Sequence, residues 1–468
     1  MTDITQSLDP SKPPINCSGD LERSLHGEAL IDSNAGARYQ KPSLCQVSPI
    51  RLLSTEILQL VFLFAASHKS HEFATYVKRS RSFRRNQARA WAGALSLTWV
   101  CSWWRKVALS YPAIWRSIHI DMRENSFTHP WFGDFIGEYL RRSGPSLPLD
   151  IGLNLDVDLS ILQYGRYSEE YDHHDFEDYS DILRVLNHLA DCAWRWRRFE
   201  FTSGFSTDLE RFTDILVTKM AARSTSGPKT LVSFPLLHEV ELHTHRSYLP
   251  FRATSLKFFT HCRFLRFLKA PIFQITDTMD LTNLVFLQTP LYAGDSFGYL
   301  LQQCPRLKYL SIGYLSPYYK ISATSMSTAP ATPAIPSIVH NHLTSLCLNK
   351  IGEEFPAGVW DNVSLPNLTQ LGIAFEVKVW HDTVGNIFPV EYFYHPVALE
   401  ELQRMCLRSG CYLEKVWVGL TIELSAEIPR IRQLFNEFPH SEDFTTEISE
   451  EPSGIEREAY LEYIDGLQ

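Results

Sequence analysis

Two groups of side chains in this sequence have the residue types that bind metal ions. The segment Asp172–Asp175 has the sequence Asp-His-His-Asp, and Cys406 lies five residues before Cys411. A tetrahedral zinc site needs two ligand pairs at defined spacing, and neither group has such a companion pair. We therefore interpret the first group as part of a solvated acidic loop and the two cysteines as packed side chains. The sequence predicts no metal and no other cofactor.

Two groups of cationic residues could in principle bind a polyanion. They are the run Lys78, Arg79, Arg81, Arg84 and Arg85, and the group Arg195, Arg197 and Arg198 beside Trp194 and Trp196. The run is also compatible with a nuclear import signal, but a solvated loop is the favoured interpretation. In the second group the repeat pattern described below points Trp196 inward and leaves the arginines on a solvated edge. Since the net charge is -9, we expect no nucleic-acid partner.

Motifs of common catalytic sites are absent from the sequence. It contains no P-loop, no dinucleotide-binding glycine motif, no Gly-x-Ser-x-Gly elbow and no His-Glu-x-x-His zinc motif. We therefore predict that the protein is not an enzyme. An enzyme that uses an unfamiliar motif stays open as a third hypothesis.

Composition indicates a soluble globular protein. The chain has 468 residues, 44% of them hydrophobic and 21% charged, which suggests two or three structural units. Nine scattered cysteines, an odd number, favour reduced thiols and a cytoplasmic or nuclear location. No apolar run reaches the 18 or more residues of a bilayer span, and the N-terminus does not resemble a secretory signal, so we expect no membrane partner.

The first helix is predicted to begin near Ser54, after a disordered segment at 1–47. Ser54 can cap the first turn, and Glu56 places a negative charge at the positive end of the helix dipole. The residues Ile57, Leu60, Val61 and Phe64 follow at the spacing of one helical stripe.

A second helix is predicted over the segment 88–110. Its apolar stripe consists of Leu97, Val100, Trp104, Val107 and Ala108. Pro112 ends it because proline cannot continue the hydrogen-bond ladder. Trp115 and the alternating, strand-like segment 117–122 follow.

From about residue 190 a short apolar pattern recurs, apolar-x-x-apolar-x-apolar, at intervals of about 20 to 45 residues. Its copies are Trp196-Phe199-Phe201, Leu237-Val240-Leu242, Leu307-Leu310-Ile312, Leu343-Leu346-Leu348, Leu368-Leu371-Ile373 and Leu413-Val416-Val418, with weaker ones at Leu265-Leu268-Ala270 and Leu284-Leu287. Each copy predicts one short strand, and intervening segments such as 295–305 and 398–411 have helical periodicity. We predict an α+β architecture in which an irregular αβ solenoid of roughly eight to ten units spans 119–438. Residues 317–338 are predicted to be a disordered insert, and 439–468 an acidic tail.

The segment from Pro49 to Trp115 resembles an F-box, in particular that of fungal leucine-rich-repeat proteins. Three blocks carry the resemblance: Leu53 to Phe62 with Glu56, Ile57 and Leu58 in the expected order, Leu97 to Ala108 with Val100-Cys101 and Trp104-Arg105, and Pro112-Ala113-Ile114-Trp115. The chain has Ser54 where the usual pattern has proline. The segment 139–153 also resembles the first repeat that follows the F-box in these proteins. The implied domains are an F-box at 48–118 and a leucine-rich-repeat-like solenoid after it.

The resemblance implies a substrate-recognition adaptor of an SCF-type ubiquitin ligase. The F-box would bind the Skp-type adaptor, and the repeats would bind a protein target whose identity the sequence does not reveal. A module of about 65 residues is also too small to bury all its aromatic and aliphatic side chains by itself. The sequence does not separate residues that contact the partner from those in the module's own core. The residues predicted to form the partner-binding site are Pro49, Ile50, Leu53, Glu56, Ile57, Leu60, Val61, Leu97, Val100, Trp104, Val107, Leu109 and Trp115. The alternative is a repeat scaffold that does not bind the ligase, with the helical module as a cap.

Overall fold

The chain separates into two units, Met1–Leu53 and Ser54–Gln468. Of the first unit the structure, a computed structural model, describes Ile50 and Leu53. In the second unit it describes residues 54–77, 89–91, 93–123, 131–156, 179–203, 211–216, 234–244, 262–270, 272–273, 280–292, 297–315, 337–349, 360–374, 396–419 and 438–449, with the single residues 218, 429 and 433. The segment predicted to be disordered at 1–47 and residues 317–336 of the insert predicted at 317–338 lie outside the described residues.

The helices fall into an N-terminal group and a group between strands. The first group is α1 (Thr55–Val77), α2 (Gly93–Thr98) and α3 (Ser102–Ser110), followed by a 3-10 turn, Pro112–Trp115. The second group is α4 (Trp131–Arg142), α5 (Tyr179–Asp191), α6 (Phe297–Gln303) and α7 (Pro396–Ser409). We refer to Ser54–Trp115 as the helical module. The helical segments predicted near 295–305 and 398–411 correspond to α6 and α7.

The described strands form one large sheet and one small one. They are β1 (Arg89–Trp91), β2 (Ser117–Arg123), β3 (Leu149–Asp156), β4 (Trp196–Ser203), β5 (Glu239–Thr244), β6 (Phe267–Lys269), β7 (Ile272–Phe273), β8 (Phe286–Tyr292), β9 (Tyr309–Leu315), β10 (Ile338–Val339), β11 (Ser345–Asn349), β12 (Val363–Ser364), β13 (Gln370–Ala374), β14 (Leu413–Gly419) and β15 (His440–Ser449). In the large sheet the spatial order is β1-β2-β3-β4-β5-β6-β8-β9-β11-β13-β14-β15, with β7 beside β8. All described pairs in it are parallel except β1–β2. The chain is therefore a mixed α/β structure with a mostly parallel sheet.

Apart from β7, which pairs only with β8, the strands of the large sheet lie side by side in their order along the chain, so the apolar pattern becomes continuous rows of side chains. Phe199 lies opposite Val240, which lies opposite Leu268, and the row continues through Leu310, Leu346, Leu371 and Val416. Every one of these side chains is buried. The strand positions predicted from the six stronger copies are confirmed, because the last two apolar residues of each copy lie in a strand. The residue between these two points to the opposite face of the sheet.

A turn precedes many of these strands, and the sequence pattern did not include it. The amide of Leu237 donates to the carbonyl of Phe234, and that of Leu307 donates to Cys304, at 3.3 and 3.0 Å. The same bond recurs at Leu265–Cys262, Leu284–Leu281 and Leu368–Leu365. A buried side chain three residues before the first leucine is thus part of the repeat.

Two predicted boundaries are wrong. The second helix does not run from 88 to 110, because residues 89–91 form β1 and residues 99–101 form a turn between α2 and α3. Ile338, assigned to the insert, begins β10. Near its start, the segment 439–468 predicted to be an acidic tail contains β15, since His440–Ser449 pairs with β14 at the end of the sheet.

Candidate partner-binding site

The start of α1 follows the capping chemistry expected of its sequence. The Ser54 hydroxyl accepts a hydrogen bond from the amide of Ile57, at 3.4 Å. Hydrogen bonds from its own backbone amide and from Ser54 lower the pKa of the Glu56 carboxyl. Glu56 is exposed and remains negative at neutral pH, next to the positive end of the helix dipole.

Helix α1 has apolar side chains on two faces, and one of them faces solvent. Leu58 and Phe62 are fully buried in the core of the second unit. The stripe Ile57, Leu60, Val61 and Phe64 lies outside this core, with Leu60 60% exposed. The apolar stripe predicted from the sequence thus forms the solvent-exposed face of the helix, and Ile57, Leu60 and Val61 in it are among the predicted partner-binding residues.

The turn between α2 and α3 adds two more exposed apolar side chains, Trp99 at 74% and Val100 at 58%. The Arg105 guanidinium donates through Nε to the carbonyl of Thr98, at 2.9 Å, which joins the two helices across the turn. Cys101, predicted to be a buried packing residue, is half-buried, and its Sγ accepts from the amide of Trp104 at the start of α3. The turn that presents Trp99 and Val100 is therefore held at both ends.

The predicted partner-binding residues of the module divide by burial. Leu97, Val107 and Trp115 lie in the core, so they contact this chain and offer no surface to a partner. Trp104 is half-buried, with its ring 4.9 Å from that of Phe62. Ile57, Leu60, Val61, Val100 and Leu109 are exposed. Of the predicted residues in the first unit, Ile50 and Leu53 are partly exposed, and Pro49 lies outside the described residues.

Trp115 fastens the helical module to the sheet region. Its Nε1–H donates to the carbonyl of Ala108, at 2.8 Å. Its ring meets the Tyr139 ring edge-on with centroids 5.0 Å apart, and the Arg142 guanidinium lies 5.1 Å from its centroid. The Tyr139 hydroxyl in turn donates to the carbonyl of Ser117 on β2, at 2.7 Å. The exposed face of α1 is therefore carried by a module that packs on the rest of the unit.

We call the residues Ile57, Leu60, Val61, Phe64, Trp99, Val100 and Leu109 the exposed apolar set. In the described part of the second unit these are seven of fourteen exposed large hydrophobic side chains, and the other seven are spread from Leu183 to Tyr412. This concentration of exposed apolar side chains makes the helical module the candidate surface for a partner protein, since contact of these side chains with water is unfavourable. Trp99 and Phe64 were not among the predicted site residues. Their exposure depends on the break at residues 99–101 and on which face of α1 is buried.

The other groups singled out in the sequence lie partly outside the described residues. The segment Asp172–Asp175 and the basic run from Lys78 to Arg85 lie outside the described residues. Within the described residues no group of three or more metal-ligating side chains is found, and no helix is long and apolar enough to cross a membrane. Cys406 and Cys411 are both buried, and the hydrogen bond with Cys411 together with burial raises the pKa of Cys406.

One arginine was assigned wrongly. Arg195 was expected on a solvated edge, but it is buried. It donates through Nε to the carbonyl of Leu147 and through a terminal nitrogen to the Ser143 hydroxyl, at 2.8 and 2.6 Å. Its role is to hold the loop between α4 and β3, because a buried guanidinium is retained where its donors are satisfied.

Comparison with known proteins adds no assignment. No protein-family model matches the chain, and no curated protein matches it.

Proposed function

We propose that this protein is a substrate-recognition adaptor of an SCF-type ubiquitin ligase, whose F-box at 48–118 binds the Skp-type adaptor. The observation that carries the proposal is the exposed apolar set on the helical module. Seven large apolar side chains in contact with solvent would be buried on a partner protein. Trp99 and Phe64 would supply the aromatic anchors that commonly dominate such interfaces.

The F-box pattern and the burial of its residues agree with each other. The pattern residues Leu58, Phe62 and Trp115 lie in the core of the chain, whereas Ile57 and Val61 in the same block are exposed. A docking module needs both kinds of position, one to hold its own helices together and one to contact the partner. The presence of both buried and exposed pattern residues supports a module that can bind a partner protein.

The recruiting half of the proposal is supported by the sheet. Parallel strands in chain order, many of them preceded by a turn and several by a helix, are what an irregular leucine-rich-repeat-like solenoid would provide. Such repeats present exposed side chains between their buried leucines to a protein target. Because α1–α3 pack on the same core as the sheet, a bound target would be held close to the ubiquitin-conjugating enzyme, which raises its effective concentration there.

The test is affinity purification of the full chain from eukaryotic cells with identification of the bound proteins. We expect the Skp-type adaptor to be recovered with the wild-type protein and to be lost with Leu60→Asp, which places a charge in the exposed apolar set. Leu407→Asp is a matched control, since Leu407 is also a helical leucine, in α7, and is 58% exposed. Recovery of the adaptor should be unchanged in this control.

One observation favours a second function, a repeat scaffold that does not bind the ligase. The helical module packs against the first strands of the sheet through Trp115 and Tyr139, as a cap of a repeat array would. A cap needs a polar outer face, however, and the outer face of α1 is apolar. If the wild-type chain recovers no Skp-type adaptor while still retaining other proteins, the scaffold function is supported instead.

A further inference from the structure

Two cations, Arg266 and Lys308, lie in one row of residues just before β6 and β9, with Val285 between them. The amide of Val285 donates to the carbonyl of Arg266, and the amide of Lys308 donates to the carbonyl of Val285, both at 2.8 Å. Neighbouring strands lie about 4.8 Å apart, so the backbones of Arg266 and Lys308 are about 10 Å apart. Both side chains are exposed.

The turns just before these strands add a second pair of cations, Arg263 and Arg306. Asn283 lies between them, since its side-chain nitrogen donates to the carbonyl of Arg263, at 2.9 Å, and its oxygen accepts from the Arg306 guanidinium, at 2.8 Å. Both arginines are exposed. We call Arg263, Arg266, Arg306 and Lys308 the basic edge.

The basic edge differs from β4 in how its charge is compensated. On β4, Arg197 forms an ion pair with Asp150 and Arg198 forms one with Glu241. No such ion pair is found for the four residues of the basic edge in the part of the chain that the structure describes. Asp280, in the turn between them, accepts hydrogen bonds from the amide and from the hydroxyl of Thr282. Four exposed cations thus share one edge of a protein with a net charge of -9.

An aromatic side chain lies within the same turns. Phe264 follows Arg263 directly and is 52% exposed. Its ring stacks on that of His238, with centroids 6.1 Å apart. The edge therefore offers an apolar contact next to four cations, a combination that suits a peptide with acidic and apolar side chains.

We propose that the basic edge binds an acidic segment of a partner protein. Two carboxylates about 7 Å apart along an extended chain, at positions i and i+2, could each reach one of the two pairs of cations. A nucleic acid is disfavoured because the edge has few cations and the chain as a whole repels polyanions. That the acidic segment belongs to the target recruited to the ligase rests on the function proposed above. As a binding site it does not depend on that function.

The test is fluorescence anisotropy of the full-length protein with a fluorescein-labelled 14-residue peptide of alternating Glu and Asp around a central Leu. The variant R263Q/R266Q/K308Q removes three charges and keeps the bond between Arg306 and Asn283. The matched control R141Q/R184Q/R404Q removes three exposed charges elsewhere, each of which contributes little to stability. We expect the edge variant to weaken peptide binding by about tenfold or more and the control to change it by less than about twofold.

Three outcomes would overturn the proposal. They are equal binding by the edge variant and the wild-type protein, an equal loss in the control, or tighter binding of a 14-nucleotide oligouridylate than of the peptide. Thermal unfolding of each variant shows that the comparison is made on folded protein. Recovery of the Skp-type adaptor by the edge variant is measured separately, so failure of this site and failure of the adaptor function are distinguishable.

Discussion

Leu58 and Leu60 are two residues apart in α1, but truncating each should affect a different property. Leu58 is fully buried in the core, whereas Leu60 is 60% exposed in the exposed apolar set. We expect Leu58→Ala to lower the free energy of unfolding and to leave adaptor binding nearly unchanged while the protein is folded. Leu60→Ala should do the reverse.

The magnitudes follow from the burial of the two side chains. Truncation of a buried leucine leaves a cavity and costs about 2–5 kcal/mol of unfolding free energy. Full burial of a leucine contributes about 1.5–3 kcal/mol, so burying the exposed 60% of Leu60 on a partner would contribute about 1–2 kcal/mol. Loss of that contribution weakens Kd by about 5- to 30-fold.

The assay pairs urea unfolding of each purified variant with calorimetric titration by the Skp-type adaptor. Leu407→Ala serves as the control for loss of an exposed helical leucine and should change neither quantity by more than about 0.5 kcal/mol. The reasoning would be refuted if Leu60→Ala bound the adaptor as tightly as the wild-type protein does. It would be refuted equally if Leu58→Ala weakened binding without lowering stability.

Three further predictions concern the core and the sheet. Trp115→Phe should lower the free energy of unfolding by about 1–3 kcal/mol in urea titrations, since the Ala108 carbonyl loses its shorter hydrogen bond and keeps only the one from the Tyr111 amide, at 3.4 Å; an unchanged stability would contradict a stabilising role of the Trp115 bond. Gly152→Ala should cost about 1–3 kcal/mol because an added Cβ would overlap the His119 ring, and the cost should largely vanish when measured in a His119→Ala background. Burial by itself would raise the pKa of Glu241, but the hydrogen bond with His243 and the charge of Arg198 outweigh it and lower the pKa to about 2. A carboxyl whose pKa is lower in the folded state stabilises the fold at pH values above its unfolded pKa. The free energy of unfolding of the wild-type protein should therefore exceed that of Glu241→Gln by less and less as the pH falls from 4.5 towards 2. A difference that does not change with pH would disprove the lowered pKa of Glu241.

The strands were predictable from the sequence because their pattern depends on local chemistry. The apolar pair Leu346 and Leu348 alternates with polar neighbours, and the same spacing recurs at Leu371 and Ile373. Side chains two apart in a strand point to the same side, so the buried face followed directly. Pro112, which ends α3, and Ser54, which caps α1, were equally local signals.

The buried face of α1 was not predictable, for a physical reason. The first part of α1 has apolar residues on more than one face, since Ile57 is followed by Leu58 and Val61 by Phe62. No periodicity then distinguishes the face that packs from the face that is exposed. The contacts that decide it, such as the Phe62–Trp104 pair, join residues more than 40 positions apart.

The break between α2 and α3 was not predictable from the sequence for a similar reason. No proline or glycine lies between Leu97 and Trp104, so the apolar spacing suggested one continuous helix. The turn is stabilised instead by side chains, through the bond of Arg105 to Thr98 and the cap at Cys101. Cysteine is not among the common helix caps, which is why the signal was missed.

The most direct measurement of the central claim is a titration of the purified full-length protein with a purified Skp-type adaptor. The proposed function predicts a complex of one molecule of each, with a negative heat-capacity change from burial of the exposed apolar set. It also predicts that the double variant Leu60→Asp/Trp99→Asp forms no complex while unfolding at the same temperature as the wild-type protein. A wild-type protein that is folded and forms no complex at micromolar concentrations would contradict the claim.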